Sequence, residues 1–304
     1  MAGTETEKPS EKSATDSTIS MMTEAQLREP KSTIGVYELP CGYLDSSGVL
    51  HTDVLLNEIT GRDEDMLANG KIPNTKKMNQ LLVSCIGRLG SITDKGAIAS
   101  AVPDMLVGDR VFLILAIRRV SLGDDYPYKD SCPSCAKESL MSLDLSTLDT
   151  VKMPHPKQRV FDARLPSRAA IKAWAASTDG EILEPERSKP TGMPIRFKVL
   201  CGRDEEKSGK AAGKDDSVSL LLSLRIEMLN DKPPTIDDLQ SLTLTERQFI
   251  RDVVFRKEDG GIDTTLDVTC PMCQHEYTRE LDIGQMGFFF PSAARKTSKT
   301  RSST

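Results

Sequence analysis

The residues best suited to chemistry in this chain are two short cysteine steps, Cys132-Pro133-Ser134-Cys135 and Cys270-Pro271-Met272-Cys273. Each offers two sulfurs from one tight turn, and thiolates so placed either bind metal or exchange disulfides. The flanking residues favour metal. A shift of 138 residues that lays Cys132 on Cys270 also lays Leu143-Asp144-Leu145 on Leu281-Asp282-Ile283. Each step then reads as the turn of a small β-hairpin. Two such hairpins supply four thiolates, which complete a tetrahedral zinc site and leave no open position for a substrate. Cys132, Cys135, Cys270 and Cys273 are therefore the expected ligands of one structural zinc per chain. Zinc ribbons of this spacing usually separate their pairs by about 15–20 residues. Here 134 residues intervene, so the expectation is a ribbon split by a large insertion. His275 is a spare ligand type that four sulfurs make unnecessary. Cys85 falls in an apolar helical stripe, while Cys41 and Cys201 have no evident partner.

The elements that must position these turns follow from patterning. Val36-Tyr37-Glu38-Leu39 and the run from Val49 to Ile59 flank the turn Leu44-Asp45-Ser46-Ser47-Gly48, which predicts a β-hairpin. Thr60 precedes an acidic third position at Asp63, the pattern of a helix start. Met78, Leu81, Leu82, Cys85, Ile86 and Leu89 recur at helical spacing and predict one helix ending at Gly90. Within Arg110 to Val120, the stretch Val111-Phe112-Leu113-Ile114-Leu115-Ala116-Ile117 is apolar nearly all round and reads as a buried helix, with a central strand as the second reading. Farther on, Ser167 is a natural N-cap, Gly202 to Asp216 reads as a polar surface loop or disordered segment, and Val218 to Leu229 reads as helix. Thr245-Glu246-Arg247-Gln248 reads as a capping box.

The resulting fold class is α+β. Residues 1–32 form a polar arm expected to be disordered, 33–130 a hairpin and helical domain, and 131–150 the first half of the ribbon. Residues 151–262 form a mainly helical insertion, 263–286 the second ribbon half, and 287–304 an anchor followed by a basic tail. The anchor is Phe288-Phe289-Phe290. Two readings stand side by side: part of the run fills the core, or the three aromatics bind a partner subunit, as aromatics at interfaces do.

Composition narrows the function. The 304 residues are 38% hydrophobic, 28% charged and 5% aromatic, with a net charge of −5. That balance lacks the basic stripe of a nucleic-acid scaffold and the aromatic platforms that stack bases. The first twenty residues carry no apolar signal core, and no apolar run is long enough to span a bilayer, so synthesis in a reducing cytoplasm is expected. The three histidines, at 51, 155 and 275, lie near no nucleophile motif, and no glycine-rich phosphate loop occurs. The expected role is therefore non-catalytic.

The order of motifs resembles a known family, the baseplate hub and tail-assembly proteins of tailed bacteriophages of the T-even contractile type. The resemblance rests on Glu58-Ile59-Thr60-Gly61-Arg62-Asp63-Glu64-Asp65 after a hairpin, Cys85-Ile86-Gly87-Arg88-Leu89-Gly90, and Val107-Gly108-Asp109-Arg110 leading into Leu113-Ile114-Leu115-Ala116-Ile117-Arg118-Arg119. Gly123-Asp124-Asp125-Tyr126 then approaches the first cysteine step. Similarity spans roughly residues 34 to 286. It implies a structural or assembly protein of a phage tail baseplate, hub or wedge, made in the bacterial host cytoplasm and bound to other baseplate subunits in the virion, in one or several copies. The competing readings are a zinc-ribbon nucleic-acid-binding or transcription-associated protein, and a thiol-redox enzyme.

Overall fold

The computed structural model describes residues 35–177, 192–211, 218–283 and 286–290. The polar arm at 1–32 and the tail at 293–304 lie outside them. The chain is mixed α/β, built from antiparallel sheets and short helices around a cysteine cluster.

Strand β1 (Val36–Leu44) turns through Asp45 into β2 (Leu50–Leu56). The Asp45 carboxylate accepts from the backbone N–H groups of Ser47 and Val49, both at 2.9 Å, which closes the expected turn. Helix α1 (Gly61–Ala68) starts at the predicted cap, with Thr60 and Asp63 bonded reciprocally. Helix α2 (Asn74–Cys85) is shorter than the sequence suggested. It stops at Cys85, and Ile86–Leu89 becomes β3, paired with β2. Ile86 and Leu89 stay buried either way, but the open edge of β2 offers this segment ladder hydrogen bonds that a longer helix would forgo.

Helix α3 (Lys95–Ala101) is capped by Asp94, and α4 (Val107–Leu122) is the buried helix predicted from its all-round apolar sequence. Beyond it, β4 (Asp125–Ser131) and β5 (Glu138–Asp144) form the first cysteine hairpin. The short strand β6 (Thr150–Val151) follows.

The segment read as a mainly helical insertion also carries a sheet, and its elements follow the order of the preceding part with one helix added between the first two strands. Strand β7 (Val160–Leu165), helix α5 (Arg168–Ala176) and strand β8 (Met193–Lys198) lead to α6 (Gly202–Ala211), α7 (Val218–Arg225) and β9 (Ile226–Leu229). Strands β7, β8 and β9 make a three-stranded antiparallel sheet, as β1, β2 and β3 do. In the first sheet Val54 pairs with Leu89 and Leu56 with Ile86, with a register shift between them. In the second, Ile195 pairs with Leu229 and Phe197 with Ile226, shifted at the same place. Gly90 and Asn230, just past the third strands, both hold φ at 54°.

Helix α8 (Ile236–Gln240) and helix α9 (Leu244–Phe249) come next, and α9 continues as a π-helical turn, Ile250–Phe255. The box at the start of α9 uses Thr243 and Glu246, two residues before the predicted one, because Glu246 reaches back to the Thr243 N–H at 2.8 Å. The stretch read as a loop from Gly202 begins as helix α6. Asp204 and Glu205 in its first turn favour the positive end of the helix dipole. Strand β10 (Gly261–Ile262) pairs with β6, and β11 (Thr265–Thr269) with β12 (Glu276–Glu280) forms the second cysteine hairpin before α10 (Met286–Phe289).

Two apolar clusters result. One gathers the first sheet, α2, α4, both cysteine hairpins and the Phe run; the other gathers the second sheet with α5 and α9. The halves meet where Gly108 of α4 crosses Gly260. A Cβ on Gly108 would lie 2.0 Å from the Gly260 carbonyl oxygen, so only glycine allows this approach. Beside it Asp109 is fully buried. Its Oδ1 accepts the Cys41 N–H at 2.8 Å, while its Oδ2 has no partner among the described residues. Burial pushes this carboxyl up to about 6.

The Phe run is core. Phe288 and Phe289 are each 1% exposed, and Phe290 is half-buried against the same cluster. Arg118 explains the arrangement. It is buried in α4, donates to the carbonyls of Phe288 (3.0 Å), Gly123 and Asp125, and lies over the rings of Tyr126 and Phe288. Phe288 and Phe289 are thus committed to the core, while Phe290 keeps part of its surface exposed.

Candidate metal centre

Period-two alternation puts Tyr126, Tyr128, Asp130 and Cys132 on one face of β4. The strand therefore delivers Cys132 inward at its end, and Pro133 opens the turn. The two turns match bond for bond. Ala136 donates to the Cys132 carbonyl at 2.9 Å, and Gln274 donates to the Cys270 carbonyl at 2.9 Å. The Cys132 N–H reaches the Lys137 carbonyl, and the Cys270 N–H the His275 carbonyl. Ala136 and Gln274 both take left-handed φ, 55° and 61°, a conformation that non-glycine residues adopt at some cost. The strain is tolerated because the turn aims both of its sulfurs at the facing hairpin.

All four sulfurs lie within 4.8 Å of one another. Cys132 Sγ is 3.7 Å from Cys273 Sγ, and Cys135 Sγ is 3.8 Å from Cys270 Sγ, so both of these contacts cross between hairpins. A disulfide requires about 2.05 Å. Four sulfurs at about 2.3 Å from a central ion would stand about 3.8 Å apart. The two cross-hairpin distances match that value, and the cluster can hold a metal ion. Cys132 and Cys270 are buried, Cys135 is intermediate and Cys273 is exposed. His275 is exposed, stacks on Tyr277 and is not among the clustered ligands.

The thiols divide in their acidity. Burial opposes the Cys270 thiolate, yet the N–H groups of Met272 and Cys273 bring it down to about 7. At Cys273 the His275 N–H favours the thiolate, but partial desolvation and the sulfurs of Cys135, Cys270 and Cys132 oppose more negative charge and push it up to about 12. Without a cation, the four sulfurs repel one another's ionisation. A bound cation removes that penalty.

A second tie between the hairpins was not read from the sequence. Asp130 is buried, accepts from the Tyr277 hydroxyl at 2.7 Å and is paired with Arg279, whose guanidinium lies over the Tyr128 ring. The available signal was the charged Asp130 on the inward phase of β4, which demands a partner when buried.

A scan against family models, a search of curated proteins and a search of solved structures each returned no match. No helix among the described residues is long and apolar enough to cross a membrane.

Proposed function

We propose that this chain is a non-catalytic assembly component of a phage tail baseplate, its two cysteine hairpins tied by one structural zinc. The observation that carries the reading is the closed four-sulfur set joining hairpins far apart in sequence. Borderline-soft Zn²⁺ suits four thiolates in a tetrahedron, and Cys132, Cys135, Cys270 and Cys273 would hold it, with no position left for a substrate. Zinc here would supply fixed geometry and neutralise thiolate charge. The tail assignment draws its support from the order of motifs between Glu58 and Cys135.

The alternative, a zinc-ribbon nucleic-acid-binding protein, has less support. Of the two cations nearest the cysteines, Arg279 is committed to Asp130, which leaves Lys137. Phosphate binding scales with the number of available cations. The test is a tagged chain purified under reducing conditions from infected host cells. One zinc per chain and stoichiometric co-isolation of tail subunits are expected. A folded, reduced, metal-free sample would remove the zinc. A salt-sensitive gel shift at physiological ionic strength would favour the alternative over the tail.

A further inference from the structure

The duplication exposes a corner that one half seals and the other leaves open. In the first half, Arg110 of α4 is buried. It donates through Nε to Glu205 at 2.7 Å and through Nη2 to Asn79 of α2 at 2.7 Å. The matching residues of the second half are Arg247 of α9 and Ser219 of α7, joined by Arg247 Nη2 to Ser219 Oγ at 3.1 Å. Among the described residues, the second half supplies no carboxylate to match Glu205. Arg247 Nε is shielded from solvent and has no acceptor among the described residues.

The side chains around Arg247 follow the same contrast. Met78 and Leu81 of α2 are buried, but their counterparts Val218 and Leu221 of α7 are each 50% exposed. Val107 at the start of α4 is half-buried, while its counterpart Leu244 is 83% exposed. The cover on the first half is α6. It fastens there through Arg203 to Asp104, Glu205 to Arg110 and Glu206 to Asn79. By position in the repeat α6 is the counterpart of α1, yet α1 also serves the first half, where Lys77 Nζ donates to the Leu67 carbonyl at 2.7 Å. Both copies of this helix fasten to the first half, although Asp204 of α6 also pairs with Lys198 of β8.

We infer that the corner formed by Val218, Leu221, Leu244 and Arg247 docks an α-helix of another protein chain, one that presents a carboxylate to Arg247 between apolar side chains. The first half supplies the precedent for every part of this contact, with Glu205 as the carboxylate. A half-buried guanidinium among exposed leucines is also the composition from which interface hot spots are made. The inference rests on the scaffold reading only in taking the occupant to be a protein, and it concerns a different face from the metal centre.

The test places p-benzoylphenylalanine at position 244 of the full chain in cells that produce it with its natural partners, with position 140, also exposed on β5, as the control. The crosslinked peptide is sequenced, and the complex is rebuilt from the two purified proteins. The expected result is capture at 244 and not at 140 of a helical segment carrying Glu or Asp flanked by apolar residues. Arg247→Glu should then weaken binding by about thirtyfold or more, and reversing the partner's carboxylate to Lys should restore it. Leu244→Asp, at a site too exposed to disturb the fold, should weaken binding as well. Capture at both positions, no capture, capture of the same chain, a segment without a carboxylate, or affinity indifferent to Arg247→Glu would each overturn the inference. Capture of a partner foreign to phage tails would leave the docking site standing and remove the tail assignment.

Discussion

Asp109 is the residue whose environment makes the clearest numerical claim. Its carboxyl is raised from the ordinary range to about 6 by burial at the junction of the two halves. A raised carboxyl means that the folded chain holds this proton more tightly than the unfolded one. The associated stability is full below the ordinary carboxylate pKa, near 4, and is lost as pH rises through about 6. Asp109→Asn keeps an oxygen for the Cys41 N–H and removes the charge, so its unfolding midpoint should vary less between pH 4 and 7 than the wild type's. The difference at neutral pH should be on the order of 2–3 kcal/mol, read by denaturant titration at several pH values. At the cysteines, Cys270→Ser should abolish stoichiometric metal, measured by elemental analysis. It should also lower the melting temperature, because structural zinc carries roughly 10–16 kcal/mol of apparent binding energy in small fingers.

Two elements carry predictions of their own. Helix α4 is where packing overrides propensity. Gly→Ala in a helix normally gains about 1 kcal/mol. At Gly108 the added methyl would strike the Gly260 carbonyl, so Gly108→Ala should instead lose about 1–3 kcal/mol, read as a fall in melting temperature. For helix α10 the sequence leaves core and partner anchor side by side, and the burial of Phe288 and Phe289 makes loss of stability the expected phenotype. Phe288→Ala should cost about 3–5 kcal/mol and lower thermal stability in the isolated protein, before any question of assembly arises. A melting temperature unchanged by this substitution would restore the interface reading.

For the molecule as a whole, the metal centre ties two hairpins that both pack on the first of the two cores. The sheet β1–β2–β3 packs on α2 and α4, and the sheet β7–β8–β9 belongs to a separate cluster. Chelation under reducing conditions should therefore speed hydrogen exchange in β4, β5, β11 and β12 while the two three-stranded sheets stay protected. Mass spectrometry of peptic fragments would read this directly. Uniform loss of protection would mean that the metal holds the entire fold.

Local spacing carried much of this structure. Two cysteine turns with equal flanks, the hairpin around Asp45, the caps at Thr60 and Ser167 and the buried α4 each depend on residues near one another in the chain, so a single sequence displays them. The duplication did not show itself because no one shift aligns it. The two Leu-Pro steps, Leu39-Pro40 and Leu165-Pro166, are 126 residues apart, Leu89 and Leu229 are 140 apart, and the cysteines 138 apart. Strand β3 was hidden because Ile86 and Leu89 suit a helix or a strand equally, and its pairing partner β2 lies some thirty residues upstream. The Phe run was undecided because three aromatics suit a core or an interface. Arg118 and Tyr126 settle it, and they are brought there only by folding. Spacing along the chain thus determined which atoms could meet a metal; which surfaces are covered and which stay open was decided by contacts between segments that the sequence holds far apart.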